Sequence, residues 1–217
     1  MTYSEENYIK AIFHLGIDGI KAVSTNAVAE QMSTKPSSVT DMMKKLSEKG
    51  LVNYKKYRGV SLTDKGKKLA LSIVRKHRLW EVFLVQKLDF TWDEVHDIAE
   101  QLEHIKSEKL IDKLDELLDF PEYDPHGDPI PAKNGHIKSR EKQLLSQMDI
   151  SSASICVGVK DSSAPFLRFL DKNSIALGNT IKIIDKEEFD NSLHVLIDNR
   201  ELHLSQLIAS NLYVKKI

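Results

Sequence analysis

Residues 121–137, PEYDPHGDPIPAKNGHI, break the chain into two parts with different periodicities. Most of the chain's prolines fall here, together with Gly127 and Gly135. Proline removes a backbone donor and fixes φ, so the stretch reads as an ordered loop followed by a linker. Before it, apolar residues recur at helical spacing. After about Ile150 they come in short runs, SICVGV, IKII, HVLI and LYVKKI, with turn signals at Gly178-Asn179 and Asp198-Asn199. The expected fold is mainly α with a small β part: a helical N-terminal region and a C-terminal β domain of five or so strands, barrel-like in size.

Within the helical part, Tyr8, Ile9, Ile12, Phe13 and Leu15 mark one face of a helix over 4–15, with Ser4 as its N-terminal signal and Gly16 and Gly19 ending it. A short helix starts at Ser24 or Thr25 and reaches Met32. After the turn Ser33-Thr34-Lys35, Pro36 suits the first turn of a third helix, which Gly50 stops. Leu51–Tyr54 and Val60–Thr63 alternate around a turn and predict a hairpin. A long helix is expected from Asp64 to Leu88. A second, opened by the capping pattern Thr91-Trp92-Asp93-Glu94, reaches about Ile105, and a third runs from Ser107 to Pro121. A basic, helix-like patch is expected over 138–148.

The chain has 217 residues and a net charge of −1. That total conceals a segregation: Lys35 to Arg78 holds 13 Lys/Arg against 3 Asp/Glu, and Glu81 to Asp128 holds 4 against 15. The basic block can face phosphates and the acidic block cations, although two solvated faces of opposite sign would give the same count. No apolar run approaches the ~20 residues of a membrane-spanning helix, the first residues lack a signal-peptide layout, and Cys156 is the single cysteine. A cytoplasmic protein with no membrane partner is expected.

Helix, turn, helix and hairpin within residues 24–63 form the layout of a winged helix-turn-helix. Lys35, Ser37, Ser38, Thr40, Asp41 and Lys44 would lie on the outward, N-terminal part of the third helix, where short hydroxyl side chains approach base edges or phosphates, and Thr34 and Pro36 at its start are DNA-binding candidates with them. Lys55, Lys56, Tyr57 and Arg58 at the hairpin tip would lie along a phosphate backbone. A helix-rich domain with merely solvated lysines is the bland alternative. The tandem of turn, Pro-capped helix, Gly50 stop and basic hairpin favours duplex DNA.

The helix over 91–105 carries His96, Glu100, Glu103 and His104 in one stripe, apart from the apolar stripe of Val95, Ile98, Ala99, Leu102 and Ile105. His77 and Glu81 stand at i, i+4 on the preceding helix, on its apolar side. A carboxylate there needs a positive partner, and a metal shared by His77, Glu81 and His96 would supply it. Oxygen and nitrogen donors without thiolate suit Mn²⁺ or Fe²⁺ better than structural Zn²⁺. Each element alone is ordinary, since an acidic stripe is usually a solvated face and a lone His usually a core or cap residue.

The segments ENYIKAIFHL, KPSSVTDMMKKLSEKGLV, YKKYRGVSLTDKGKK, RKHRLWEVFL, VHDIAEQLEHIKSEKL and DPHGDPIP resemble the diphtheria-toxin-repressor family of metal-dependent regulators, including its manganese-responsive branch. By that resemblance His77, Glu81 and His96 match one metal site. Glu100, Glu103 and His104, with Asn7 on the first helix, match another. Asn7 stands where the family usually has Asp or Met, and Glu100 where iron-responsive members have Cys, which favours manganese. The pattern of three-domain members adds Asp124, His126 and Asp161 to Glu81, and the C-terminal domain looks like their SH3-like domain. A turn held by local hydrogen bonds would explain Asp124 and His126 equally well.

The resemblance implies a homodimer built on helices 64–120, a palindromic operator, no organic cofactor, and repression of metal uptake when Mn²⁺ or Fe²⁺ is plentiful. It divides the chain into a winged helix (1–72), a dimerisation and metal-binding domain (73–137), a linker (138–149) and an SH3-like domain (150–217). Two rivals remain: a metal-independent winged-helix regulator, and a metallohydrolase, for which the sequence shows no H-E-x-x-H, nucleophile motif or phosphate loop.

Overall fold

The computed structural model describes every residue except 57 and 139. The chain forms two compact units. One comprises 1–77, 100–111 and 131–137, and the other 78–99, 112–130 and 138–217.

In the first unit, helix α1 (Tyr3–Leu15) is started by Thr2, not Ser4. Thr2 Oγ1 accepts from the Glu5 backbone N–H, and Glu5 returns a bond to the Thr2 N–H, a capping box that satisfies two end donors at once. Helix α2 (Thr25–Gln31) is capped by Ser24, whose hydroxyl accepts from Ala27 N–H at 3.1 Å. Helix α3 (Pro36–Glu48) opens on proline and buries Val39, Met43 and Leu46 at helical spacing. Strands β1 (Val52–Lys55) and β2 (Gly59–Leu62) pair antiparallel, and Val23 joins them through two 2.8 Å backbone bonds with Val60. Gly59 is required by that contact: at φ +86° a Cβ there would stand 2.5 Å from the Val23 carbonyl oxygen. The core gathers Ile9, Ile12, Phe13, Val28, Val39, Met43, Leu46 and Val60 with Ala70 and Ile73 of helix α4 (Asp64–Leu88).

Helix α5 (Val95–Leu102) is shorter than expected at both ends, and α6 spans Glu108–Leu117. Thr91 N–H does donate to the Glu94 carboxylate at 3.1 Å, but 92–94 form a turn before the helix begins. Glu103 and His104 fall in the turn after it. The single stripe read from the sequence is therefore broken, with two of its residues off the helix.

The described residues of the basic patch over 138–148 form no α-helix. It holds strand β3 (Gln143–Leu144) and a 3-10 turn at Leu145–Gln147. The following strands are β4 (Ala153–Val159), β5 (Thr180–Lys186), β6 (Leu193–Ile197), β7 (Arg200–Leu204) and β8 (Leu212–Lys216). They form an antiparallel sheet in the order β3-β8-β4-β5-β6-β7. Leu145, Ile181, Val195 and Val214 are buried with Leu167 and Leu170 of helix α7 (Ala164–Lys172). Helix α8 (Gln206–Ala209) is a single turn. The sequence reading did not anticipate α7, which Pro165 opens in its first turn.

Candidate metal centre

The first unit gathers His77, Glu100 and Glu103 so that one donor atom of each lies within 4.8 Å of the others. Glu103 is fully buried. His77 Nδ1 and Lys10 Nζ both lie 2.7 Å from its Oε2, and Lys10 also bonds Glu100. Burial alone would raise the Glu103 pKa, but the hydrogen bond from His77 and the charges of Lys10 and His77 outweigh it and hold the carboxyl below its ordinary value. Next to it, His104 Nδ1 meets Glu6 Oε2 at 2.6 Å, and Tyr3 stacks on the His104 ring at 4.4 Å. A carboxylate only accepts, so His104 carries its proton on Nδ1 and its Nε2 faces Glu103 Oε1 at 3.9 Å.

Two oxygens in this unit test whether a cation fits. Glu103 Oε1 and Asn7 Oδ1 are buried without a hydrogen-bond partner. An unpaired buried acceptor is costly, and both atoms accept electron-poor partners only. Glu103 with His77 and Glu100, and with His104 Nε2 3.9 Å from its Oε1, forms an oxygen-and-nitrogen donor set suited to a hard divalent ion. The chain's one thiol, Cys156, is buried in β4 of the other unit, where burial raises its pKa to about 11.

The second unit gathers Glu81, Asp124 and His126, all buried. His126 Nε2 lies 2.8 Å from the Trp92 carbonyl oxygen, which can only accept, so Nδ1 is the atom turned to Glu81 Oε2 at 3.7 Å. Burial works against a charged His126, yet the hydrogen bond and charge of Glu81 and the charge of Asp124 raise it to about 9. Asp124 is raised to about 7 by burial and by the charges of Glu81 and Asp128, against Arg78 and His126. Asp124 Oδ1 accepts from the His126 and Asp128 backbone N–H groups at 2.9 Å, and Arg78 Nε lies 3.4 Å from Oδ2. Arg78 is itself fixed by the Pro129 carbonyl oxygen at 2.5 Å. His96 Nδ1 approaches Glu81 Oε1 at 3.5 Å from an exposed position. Asp161 is not in this group; it accepts from the Ser163 N–H at 2.8 Å ahead of α7.

The loop that carries His126 is held by β4. Val159 N–H donates to the His126 carbonyl oxygen at 2.9 Å, and Gly127, at φ +86°, packs where a Cβ would stand 2.2 Å from the Val157 oxygen.

In the proposed reading head, Lys35, Pro36, Ser37, Ser38, Lys44, Lys55, Lys56 and Arg58 are exposed. Thr40 is half-buried, with its hydroxyl on the Pro36 carbonyl at 3.0 Å. Thr34 is half-buried. Tyr57 lies outside the described residues. Reasoning from sequence missed Glu6, Lys10 and Arg78. Glu6 and Lys10 stand at i, i+4 on α1, a spacing that carries no metal signal of its own; in the structure both turn to the residues that follow α5.

Three family models match the chain: the iron dependent repressor N-terminal DNA binding domain over residues 1–60, the iron dependent repressor metal binding and dimerisation domain over 63–132, and the FeoA domain over 143–216. MntR, an HTH-type transcriptional regulator of Oceanobacillus iheyensis, is 37% identical over 119 residues, 55% of this chain and 80% of that protein. The chain belongs to the iron-dependent repressor family. A solved manganese-dependent transcriptional repressor in complex with manganese superposes with a TM-score of 0.86 at 33% identity, covering 98% of this chain and 100% of that one. The iron-dependent repressor IdeR of Mycobacterium tuberculosis is 33% identical over 127 residues, 58% of this chain and 55% of that protein. The chain spans about half the length of that relative, and 19% of a Chlamydia trachomatis relative described as a probable metal transport system membrane protein. Members of the family are metal-dependent transcriptional regulators. No described helix is long and apolar enough to cross a membrane.

Proposed function

We propose that the chain is a cytoplasmic, homodimeric repressor that binds a palindromic operator when Mn²⁺ is bound, and that it restrains metal uptake. The observation that carries this reading is the buried Glu103 carboxylate, grouped with His77 and Glu100, whose Oε1 has no hydrogen-bond partner while His104 Nε2 faces it at 3.9 Å. An ion there would be held by Asn7, Glu100, Glu103 and His104, with His77 beside them. It would supply the positive charge that these acceptors lack. Mn²⁺ is favoured over Fe²⁺ by the carboxylate at Glu100 and the absence of a thiolate donor. Glu81, Asp124 and His126 form a second candidate site. No catalytic role is assigned.

The coupling to DNA runs along α1. Glu6 meets His104 at 2.6 Å, and Glu5 grips the end of α3 through Lys49 Nζ at 2.7 Å and Lys45 Nζ at 3.0 Å. Fixing α1 by its ligand residue therefore limits where the recognition helix can sit, and the ion acts through its preference for that arrangement. Two such helices in a two-fold dimer would meet successive major-groove half-sites. The test is to select duplexes from a random pool with the full chain and MnCl₂, then titrate the selected DNA by gel shift. Affinity should rise at least about tenfold with Mn²⁺, within the usual allosteric range. Equal affinity in Mn²⁺ and in chelator would defeat the metal-gated reading in favour of a metal-independent regulator.

A further inference from the structure

We infer that Lys10 is a resident counter-cation of the Glu100–Glu103 cluster, one that a divalent ion must displace, so that this lysine sets how much metal is needed to fill the site. The inference rests on the metal-dependent reading above. Lys10 lies on α1, with its side chain 12% exposed and its ammonium 2.7 Å from the fully buried Glu103 Oε2. The same ammonium bonds Glu100. It therefore bridges the two carboxylates that, with His77, form the candidate donor group.

The charges argue for competition. Two carboxylates and one ammonium leave the cluster one negative charge short of neutralising a dication. With the ammonium withdrawn and His77 neutral, as an imidazole beside a metal ion must be, the two carboxylates balance a dication fully. Like charges a few ångströms apart inside a protein repel strongly, so both cations cannot share the same oxygens without cost. Lys10 occupies Glu103 Oε2 and leaves Oε1 without a hydrogen-bond partner, so an ion can meet that oxygen first. Glu103 Oε2 and Glu100 stay covered by the ammonium until it leaves, and His77, itself a member of the donor group, then remains on Oε2. Lysine chemistry suits such an exchange, because a point charge on a flexible four-carbon stem can swing to solvent without dismantling α1. A rigid guanidinium at the same place would bind the carboxylates in a fixed fork and yield less readily.

The experiment compares the full chain with Lys10→Gln and Lys10→Arg, using MnCl₂ alone as the probe. Binding is read by calorimetry and by loss of the free-Mn²⁺ paramagnetic resonance signal, and thermal midpoints are taken with and without metal. Lys10→Gln should bind Mn²⁺ about tenfold more tightly, the scale on which residues around a metal tune its affinity. Its metal-free midpoint should fall, and its Mn²⁺-induced rise should exceed that of the parent. Lys10→Arg should bind several-fold more weakly than the parent. If the parent binds Mn²⁺ and Lys10→Gln, with native circular dichroism, binds it equally or less tightly, the inference is overturned. Should Lys10→Gln fail to fold without metal, equal affinity of Lys10→Arg and the parent overturns it. A parent chain that binds no Mn²⁺ overturns the proposed function itself.

Discussion

The cluster around Glu103 and the cluster around Asp124 both bury carboxylates, and they neutralise them with different kinds of cation. Glu103 has a lysine ammonium on a flexible stem and an imidazole, and keeps one oxygen unpartnered. Asp124 has both oxygens engaged: one by two backbone N–H groups, the other by a guanidinium that is itself pinned to the Pro129 carbonyl. A buried charge without a partner is expensive, so each cluster must carry its own positive charge when no ion is present. In the first the counter-charge can leave, and in the second it is an α4 guanidinium pinned to the Pro129 carbonyl of the loop. The first is thus an arrangement open to re-occupation, while in the second the hydrogen bonds are filled but burial and the charges of Glu81 and Asp128 still outweigh Arg78 and His126 at Asp124.

The sharpest way to break that contrast is to neutralise each cluster in turn. Glu103→Gln should cost Mn²⁺ affinity about 100-fold, and Asp124→Asn about tenfold, by calorimetry on the full chain. The reverse ranking would assign the leading role to the Asp124 cluster. Gly127→Ala sharpens the comparison from the packing side. Its Cβ would strike the Val157 carbonyl at a φ that disfavours L side chains, so unfolding in urea should show a loss of about 2 kcal/mol. The Glu103 cluster should keep its Mn²⁺ affinity in that variant. The smallest effect is expected at Glu5, whose carboxyl is held down to about 2 by Lys49 first and Lys45 second. A depressed folded pKa stabilises the protein above the unfolded value, near 4.5, and that stability is lost as pH falls toward 2. Glu5→Gln should therefore lower the thermal midpoint by a few degrees above about pH 5, and the gap between variant and parent should close on acidification.

Much of the helical part could be read from residue order because its signals are local. Pro36, Gly50 and the apolar spacing of Val39, Met43 and Leu46 are enough to place α3, and α4 ends at Leu88 as periodicity predicts. The β region was harder. Helix α7 hides among short apolar runs, and the stretch 138–148 is basic enough to resemble a helix although it forms a strand and a 3-10 turn. At the candidate site, His77, Glu100, Glu103 and His104 are visible as types and spacings. What could not be read is the end of α5 at Leu102, which moves Glu103 and His104 into a turn. Nor could the long-range partners be read. Lys10 lies 93 residues from Glu103, and Glu6 lies 98 from His104. No helical period reports such pairs, because tertiary packing alone creates them.

Glu5 and Glu6 are neighbours in sequence, and successive residues of an α-helix point about 100° apart. One carboxylate reaches the last turn of α3 and the next reaches His104. The first helix is therefore an axle with two cranks set at a fixed angle. A small roll about its length must turn both together, so the segment that would read DNA and the residues that would hold metal cannot be adjusted independently by evolution or by mutagenesis.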